Sequence, residues 1–325
     1  MEKQSEKQYH HLTESQRYYI DKQIARGASQ KEIAEVIGVN KSTVSREVRR
    51  NRLKNGNYNY FKAQAKADEK KARSVNNNAI SEVTLMLARD LIREDYSPEQ
   101  TSGSLRKRGV RISTERIYQM VRNEPELQKH LHHGLKGKRK KKEYHVTKVK
   151  HIPNRTSIHE RPEEANGSRF GDWELDLIVD RHGGAIVTLV ERSTRYMVMS
   201  KLPKGKNAEG VAKAVVRLLF PYREKVLTIT TDNGGEFAQH EMIAKGLRMK
   251  TNEGQKVYFA DSYCSWQKGC IENTNKLIRF YFPKGTDLKA LTDEQVKWVQ
   301  KKLNMRPRKK LDFNTPKEEF FKNFN

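Results

Sequence analysis

Cysteine is nearly absent. Cys264 and Cys270 are the only two in 325 residues, and the five residues between them do not make the tight pair of a zinc site. Two reduced thiols are therefore expected, with neither a disulfide framework nor a structural metal behind the fold. No run of about 18 apolar residues that could cross a bilayer occurs, and the opening Met-Glu-Lys-Gln-Ser-Glu-Lys has no apolar signal region. These absences lead to the expectation of a soluble, cytoplasmic protein with no membrane partner. Hydrophobic residues are scarce too, 35% with a mean hydropathy of −0.92, which suits small polar domains joined by basic linkers better than one large core. At this length two or three domains are expected. Acidic residues run short: 40 Asp and Glu face 65 Lys and Arg, a formal charge of +25. Such an excess favours polyanions through counterion release. No basic amphipathic helix with a strong apolar face stands out, so nucleic acid is the expected partner.

What is present is organised around Val226 to Phe237. Val226-Leu227-Thr228-Ile229-Thr230-Thr231 has the composition of a short buried strand, and it ends on Asp232-Asn233-Gly234-Gly235. An aspartate at the carboxyl end of a strand sits at a sheet rim, where its carboxylate can hold a hard cation. The same four residues are also good turn chemistry, so the neighbours of Asp232 decide between the readings.

Taken from its start, the chain predicts three helices over residues 11–52. Thr13 and Gln16 form a capping box, Ile20 and Ile24 an apolar stripe, and Gly27 and Gly38 the stops. A glycine turn leading into Asn40-Lys41-Ser42-Thr43-Val44-Ser45-Arg46-Glu47-Val48-Arg49-Arg50 is a helix-turn-helix pattern. Lys41, Ser42, Thr43 and Ser45 can reach base edges or phosphates, and Arg46, Arg49 and Arg50 add positive charge. Residues 55–78 read as a solvated helical linker. Residues 79–128 read as a second module of the same kind, with Val83, Leu87 and Leu91 as an apolar stripe. A proline-led helix begins after Ser97, and a reader helix opens at Ser113, Thr114 and Arg116. Residues 129–165 read as a basic linker in which Lys138 and Arg139 belong to a like-charge block suited to tracking phosphates. His130, His132 and His133 lack metal spacing.

From residue 166 the pattern turns to strands: Trp173 to Val179, Gly184 to Glu191 and Tyr196 to Ser200, separated by hairpin-length turns. An amphipathic helix at Asn207 to Leu219, the Val226 strand, a short strand at Val257-Tyr258-Phe259 and a helix from near Gln267 follow. That is a mixed α/β sheet with helices on its faces. Asp176 lies mid-strand, with Glu174 and Asp180 on the same face by the two-residue period, so spacing leaves open which carboxylate serves. Asp232 ends a neighbouring strand. Glu272 lies early in a helix, with Lys276 and Arg279 four and seven residues on, sharing its face.

Trp173-Glu174-Leu175-Asp176-Leu177-Ile178, Thr231-Asp232-Asn233-Gly234-Gly235-Glu236-Phe237, Trp266-Gln267-Lys268-Gly269 leading to Glu272-Asn273-Thr274-Asn275, and Tyr281 to Asp287 together resemble the DDE transposases of the insertion sequence thirty family. Asn304-Met305-Arg306-Pro307-Arg308-Lys309 and Thr315-Pro316 fit the same pattern, so the likeness covers nearly the whole chain. Asp172, Leu175, Ser265 and Cys270-Ile271 depart from it. The resemblance implies an RNase H-like mixed sheet flanked by helices and preceded by all-α helix-turn-helix domains. It further implies that Asp176, Asp232 and Glu272 are catalytic and bind two Mg²⁺ ions, with Mn²⁺ as a possible substitute. The implied partners are double-stranded DNA, as terminal inverted repeats and target, and further copies of the chain as a homodimer or larger assembly, in a bacterial cytoplasm near the nucleoid. Two other readings compete. A transcription regulator with the same helix-turn-helix would need no acids at strand ends, and an RNase H-like nuclease would cut without joining.

Overall fold

The computed structural model describes residues 11–54, 56–77, 80–132, 152–262 and 264–324. They form two compact units that divide between Ser81 and Glu82.

In the first unit, side-chain caps set the helix starts. Thr13 and Ser29 each close a capping box ahead of α1 (Glu14–Ala25) and α2 (Gln30–Val36), and the Asn40 side chain accepts from the Ser42 amide ahead of α3 (Lys41–Asn51). Gly27 and Gly38 take φ of +82° and +68° in the connections, where a side chain would be strained. Leu12, Ile20, Ile33, Ala34 and Val44, joined by Tyr58 and by Ala63 of α4 (Tyr60–Asn77), make the core. Inside it the Arg17 guanidinium donates to Glu47 Oε1 at 2.9 Å, and Asn51 and Tyr58 donate to the same oxygen at 3.0 and 3.2 Å.

The second unit opens with α5 (Glu82–Arg93), α6 (Pro98–Lys107), α7 (Thr114–Asn123) and the short α8 (Pro125–Gln128). Ser97 caps α6 with Pro98 in its first turn, and Ser113 caps α7, both as expected. The α5 stripe differs from expectation. Leu85, Ala88 and Ile92 are buried, whereas Val83 is 63% exposed, because the stripe that meets α6 and α8 runs at i, i+3 and i+7 from Leu85. These helices join the rest of the unit through the C-terminal segment. Tyr281 donates to Asp95 at 3.0 Å, Arg306 to Gln100 at 3.0 Å and Lys302 to Glu94 at 2.7 Å. The ring of Phe313 lies against Gly103, where a Cβ would clash.

The sheet contains β1 (Thr156–Ser157), β2 (Asp172–Val179), β3 (Ala185–Glu191), β4 (Met197–Leu202), β5 (Thr228–Thr231) and β6 (Val257–Phe259), in the order β1-β6-β5-β2-β3-β4. β2, β3 and β4 form an antiparallel meander, and β5, β6 and β1 add to it in parallel. With α9 (Ala208–Leu219) and α10 (His240–Gly246) on one face and α11 (Gly269–Tyr281) and α12 (Asp293–Asn304) on the other, this is the expected mixed sheet flanked by helices. Residues 152–165, read from sequence as linker, instead carry β1 and insert Ile152 into the sheet's core.

The two-residue period of β2 sorts its side chains. Trp173 and Leu175 enter the core shared with α9, α10 and Phe320 of α13 (Pro316–Phe324). Ile178 enters the opposite core, with Ile271 and Ile278 of α11 and Val296, Val299 and Leu303 of α12. Glu174 and Asp176 share the Ile178 face, so the strand turns its acids toward α11.

Candidate active site

β2 and β5 run parallel with Glu174 opposite Thr230, and Asp176 and Asp232 each lie two residues beyond that pair. Register alone thus brings two acids distant in sequence to the same rim. Their carboxylates meet one ammonium. Lys268 Nζ lies 3.1 Å from Asp232 Oδ2 and 3.8 Å from Asp176 Oδ1. The lysine side chain is 7% exposed, whereas those of Asp176 and Asp232 are 22% and 46% exposed, so the carboxylates open to solvent and the ammonium lies beneath them.

Each acid is held by its own partners. Asp176 Oδ2 accepts from Asn275 Nδ2 at 2.9 Å, and Asn275 Oδ1 accepts from the Thr188 hydroxyl at 3.1 Å. Asp232 Oδ1 accepts from the Gly234 amide at 2.9 Å, and Asn233 fixes the same turn by donating to the Ala260 carbonyl at 2.6 Å. Lys268 ends a 3₁₀ turn, Ser265–Lys268, braced by Gln267, whose side chain accepts from the Asp261 amide and donates to the Asp261 carboxylate at 2.7 and 2.8 Å.

The charges follow from this packing. Burial pushes the Asp176 carboxyl above its ordinary range, against the pull of Lys268 and with the repulsion of Asp232 added. Burial would press the Lys268 ammonium down, but Asp176 and Asp232 more than reverse it, so its pKa lies above the usual lysine value.

The alternatives around Asp176 resolve by their contacts. Glu174 is fully buried, pairs with Arg192 at 3.0 Å and accepts from the Ile271 amide at 2.8 Å, anchoring the start of α11. Asp180 accepts from the amides of His182, Gly184 and Leu288, which shapes the turn after β2. Glu272 is half-buried in the first turn of α11. Asn275 follows it by three residues in the same helix, so Glu272 neighbours the side chain that holds Asp176. The structure stops short of gathering all three: among the described residues no group of three His, Cys, Asp or Glu side chains is placed to hold a metal ion.

Substituting Glu174 with alanine tests the anchor. It leaves the Ile271 amide and Arg192 without their buried acceptor, at a cost of about 1–3 kcal/mol. The expected result is a lower melting temperature and lost catalysis with Asp176 and Asp232 both in place, and an unchanged melting curve would show that the contact is not structural.

Lys41, Ser42, Ser45, Arg46, Arg49 and Arg50 are exposed on α3 and Thr43 is half-exposed. In the second unit Ser113 is engaged as the α7 cap, and Thr114 and Arg116 are half-exposed. Lys276 is exposed, while Arg279 donates to the Val179 carbonyl at 3.0 Å. Lys138, Arg139 and His133 lie outside the described residues. His130 contacts Asp95 at 2.8 Å and His132 contacts the Lys276 carbonyl at 2.7 Å, both packing contacts. Trp266, an aromatic beside a helix start where packing is the usual outcome, is instead 73% exposed, because the turn that buries Lys268 points position 266 outward. Lys268 and Asn275 belong to the site beyond the residues singled out in the sequence, and the signal for Asn275 was its spacing of three from Glu272 in one helix.

A helix-turn-helix unit accompanied by a mixed sheet that aligns two aspartates at its rim defines a DNA-binding protein with a carboxylate site. A helix-turn-helix domain family matches residues 8–51. The transposase for insertion sequence element IS4351 of Bacteroides fragilis is 41% identical over 95% of this chain and 95% of its own length. Transposase InsI for insertion sequence element IS30A of Escherichia coli is 36% identical over 95% of this chain and 82% of its own. Among solved structures, the catalytic core domain of BIV integrase matches 47% of this chain and 95% of that one, at 19% identity and a TM-score of 0.37. The chain belongs to the IS30 family of insertion-sequence transposases.

Proposed function

We propose that this transposase binds the terminal inverted repeats of a bacterial insertion sequence, cuts the strand at each end to free a 3′-OH, and joins that hydroxyl to target DNA without a covalent protein intermediate. Asp176, Asp232 and Glu272 would hold two Mg²⁺ ions, or Mn²⁺ in their place. The observation that carries the reading is the convergence of Asp176 and Asp232 on a single point of positive charge, where the Lys268 ammonium stands in for a cation. The donors are hard oxygens, and Mg²⁺ is commonly held by one or two carboxylates with waters and substrate phosphates completing the shell. Divalent ions bound there would supply an activated attacking oxygen and neutralise charge on the phosphate.

The chain's own groups do the rest. Asn275 and the Gly234 amide aim the two carboxylates, and Glu272 completes the set from α11. Lys41, Ser42, Thr43, Ser45, Arg46, Arg49 and Arg50 read or grip one stretch of the repeat, and Ser113, Thr114 and Arg116 a second. Lys138, Arg139, Lys276 and Arg279 steer phosphates toward the site. The division read from sequence, 1–54 and 79–128 for DNA reading, 55–78 and 129–165 for connection and 166–325 for catalysis, shifts at two places: Tyr58 and Ala63 pack into the core of the first reading unit, and residues 152–165 go with the catalytic sheet through β1. Two ends must be held together, so the working form is a homodimer or larger assembly in the bacterial cytoplasm.

Pre-cleaved terminal-repeat DNA incubated with target DNA and Mg²⁺ tests the reading. Joined products are expected, degradation alone would mean a nuclease, and inert DNA would mean a regulator. On the binding side, replacing both Arg49 and Arg50 with alanine weakens repeat binding and flattens the dependence of log K on log salt by about 1–2, close to 0.9 for each phosphate contact removed. An unchanged slope would remove α3 from the interface.

A further inference from the structure

Lys268 is a buried ammonium whose position no part of the reaction explains. It lies under two carboxylates that open outward, at 3.1 and 3.8 Å from their oxygens, with 7% of its side chain exposed. Depth argues against a standing role on DNA, since a phosphate at the rim meets the carboxylates first. The backbone around it is fixed on both sides: Gln267 is braced on Asp261, and the Ile271 amide is bonded to Glu174. Any change in where this charge sits must come from rotation of the long lysine side chain rather than from movement of the turn.

We infer that Lys268 is the internal counter-cation of the metal-free site, and that a divalent ion enters between Asp176 and Asp232 only as the Lys268 ammonium leaves. The inference rests on the proposed metal-holding role of those aspartates. Two carboxylates held at one rim repel each other unless a cation lies between them. A single ammonium neutralises one of the two charges and keeps the site assembled without metal. A divalent ion neutralises both, but it cannot share that space with an ammonium, because like charges a few ångströms apart in a partly buried site repel strongly. Lysine and metal are therefore rivals for the same two carboxylates. The lysine carries a compact charge on a flexible stem, suited to leaving. Once displaced it needs a new anion, and a DNA phosphate at the rim provides one, so metal loading is favoured when DNA is present. The device keeps the cutting site closed to metal on the free protein and opens it on the substrate.

The test is Mn²⁺ binding to the full-length protein without DNA, read from the electron paramagnetic resonance signal of free Mn²⁺. Lys268→Met keeps the length of the side chain and removes its charge, and Lys268→Gln serves as the second variant should the methionine protein fail to fold. The expected result is Mn²⁺ affinity at least tenfold tighter in Lys268→Met than in wild type, with the gain lost when Asp232→Asn is added. Adding repeat DNA should tighten Mn²⁺ binding to wild type more than to Lys268→Met. Equal or weaker affinity in both lysine variants, with binding still abolished by Asp232→Asn, overturns the inference and leaves the metal-holding role of the aspartates intact. Mn²⁺ binding that is absent throughout, or indifferent to Asp232→Asn, overturns both.

Discussion

Asp232→Asn should abolish strand cleavage and strand transfer while leaving the protein folded and bound to its terminal repeats. The substitution is nearly isosteric. The amide oxygen still accepts from the Gly234 amide, so the turn after β5 survives, and the Asn233 bond to Ala260 is untouched. What is lost is one of two negative charges aimed at the rim. Groups that merely orient a metal ligand typically cost 10–100-fold when removed, so losing a ligand should cost about 10³-fold or more in both reactions. The binding helices lie on other elements, and repeat affinity in a gel-shift measurement should stay within about twofold of wild type, the scatter of surface effects well away from an interface. Cleavage at wild-type rate with Mg²⁺ would mean that Asp232 holds no metal. Glu272→Gln gives the complementary measurement. If Glu272 completes the set, its loss should match that of Asp232→Asn, although it is the acid the structure leaves outside the pair.

The contrast between these acids shows what a linear sequence carries. Helix starts at Thr13, Ser97 and Ser113 were legible because a cap is a local object, made by a side-chain oxygen that accepts from the backbone amide three residues on. The meander was legible from its alternation and short turns. β1 was not: two residues, Thr156 and Ser157, are a strand only because β6 lies alongside, some hundred residues later. The choice among Glu174, Asp176 and Asp180 was likewise beyond periodicity, since all three share a face. Packing separates them, because α11 claims Glu174 through the Ile271 amide and the loop before Leu288 claims Asp180. In the sequence Lys268 stands out only as part of the motif Trp266-Gln267-Lys268-Gly269, one of 65 Lys and Arg. Nothing near it in sequence says that it is buried, since its partners are Asp176 and Asp232, each some tens of residues away. Trp266 carries the opposite error, for an aromatic beside a helix start usually packs, and here the need to bury the lysine turns it out.

The largest stability effect is expected in the first unit, at Glu47. Its carboxylate is buried and accepts from Arg17, Asn51 and Tyr58, so one oxygen ties α1 and α3 to the segment that leads into α4. Arg17 extends the network by donating to the Leu12 carbonyl at 2.7 Å and to Gln64 at 2.8 Å. Burial, and then the charge of Glu47, pushes the Tyr58 hydroxyl well above the usual tyrosine range, which keeps it protonated and donating. Glu47→Ala strands the Arg17 guanidinium in a site where both partners are less than a tenth exposed. Breaking a buried pair from one side costs about 3–5 kcal/mol, most of what a small helical unit has to spare. In calorimetry of the full chain, the transition of the first unit should fall far below that of the second, and repeat binding near 37 °C should fall with it. Glu47→Gln, which keeps an oxygen acceptor but not the charge, should lie between the two. A first-unit transition in Glu47→Ala that coincides with wild type would mean that the apolar contacts of Ile20, Ile33 and Val44 hold the helix-turn-helix together unaided, and that the ion pair contributes nothing to the surface that reads DNA.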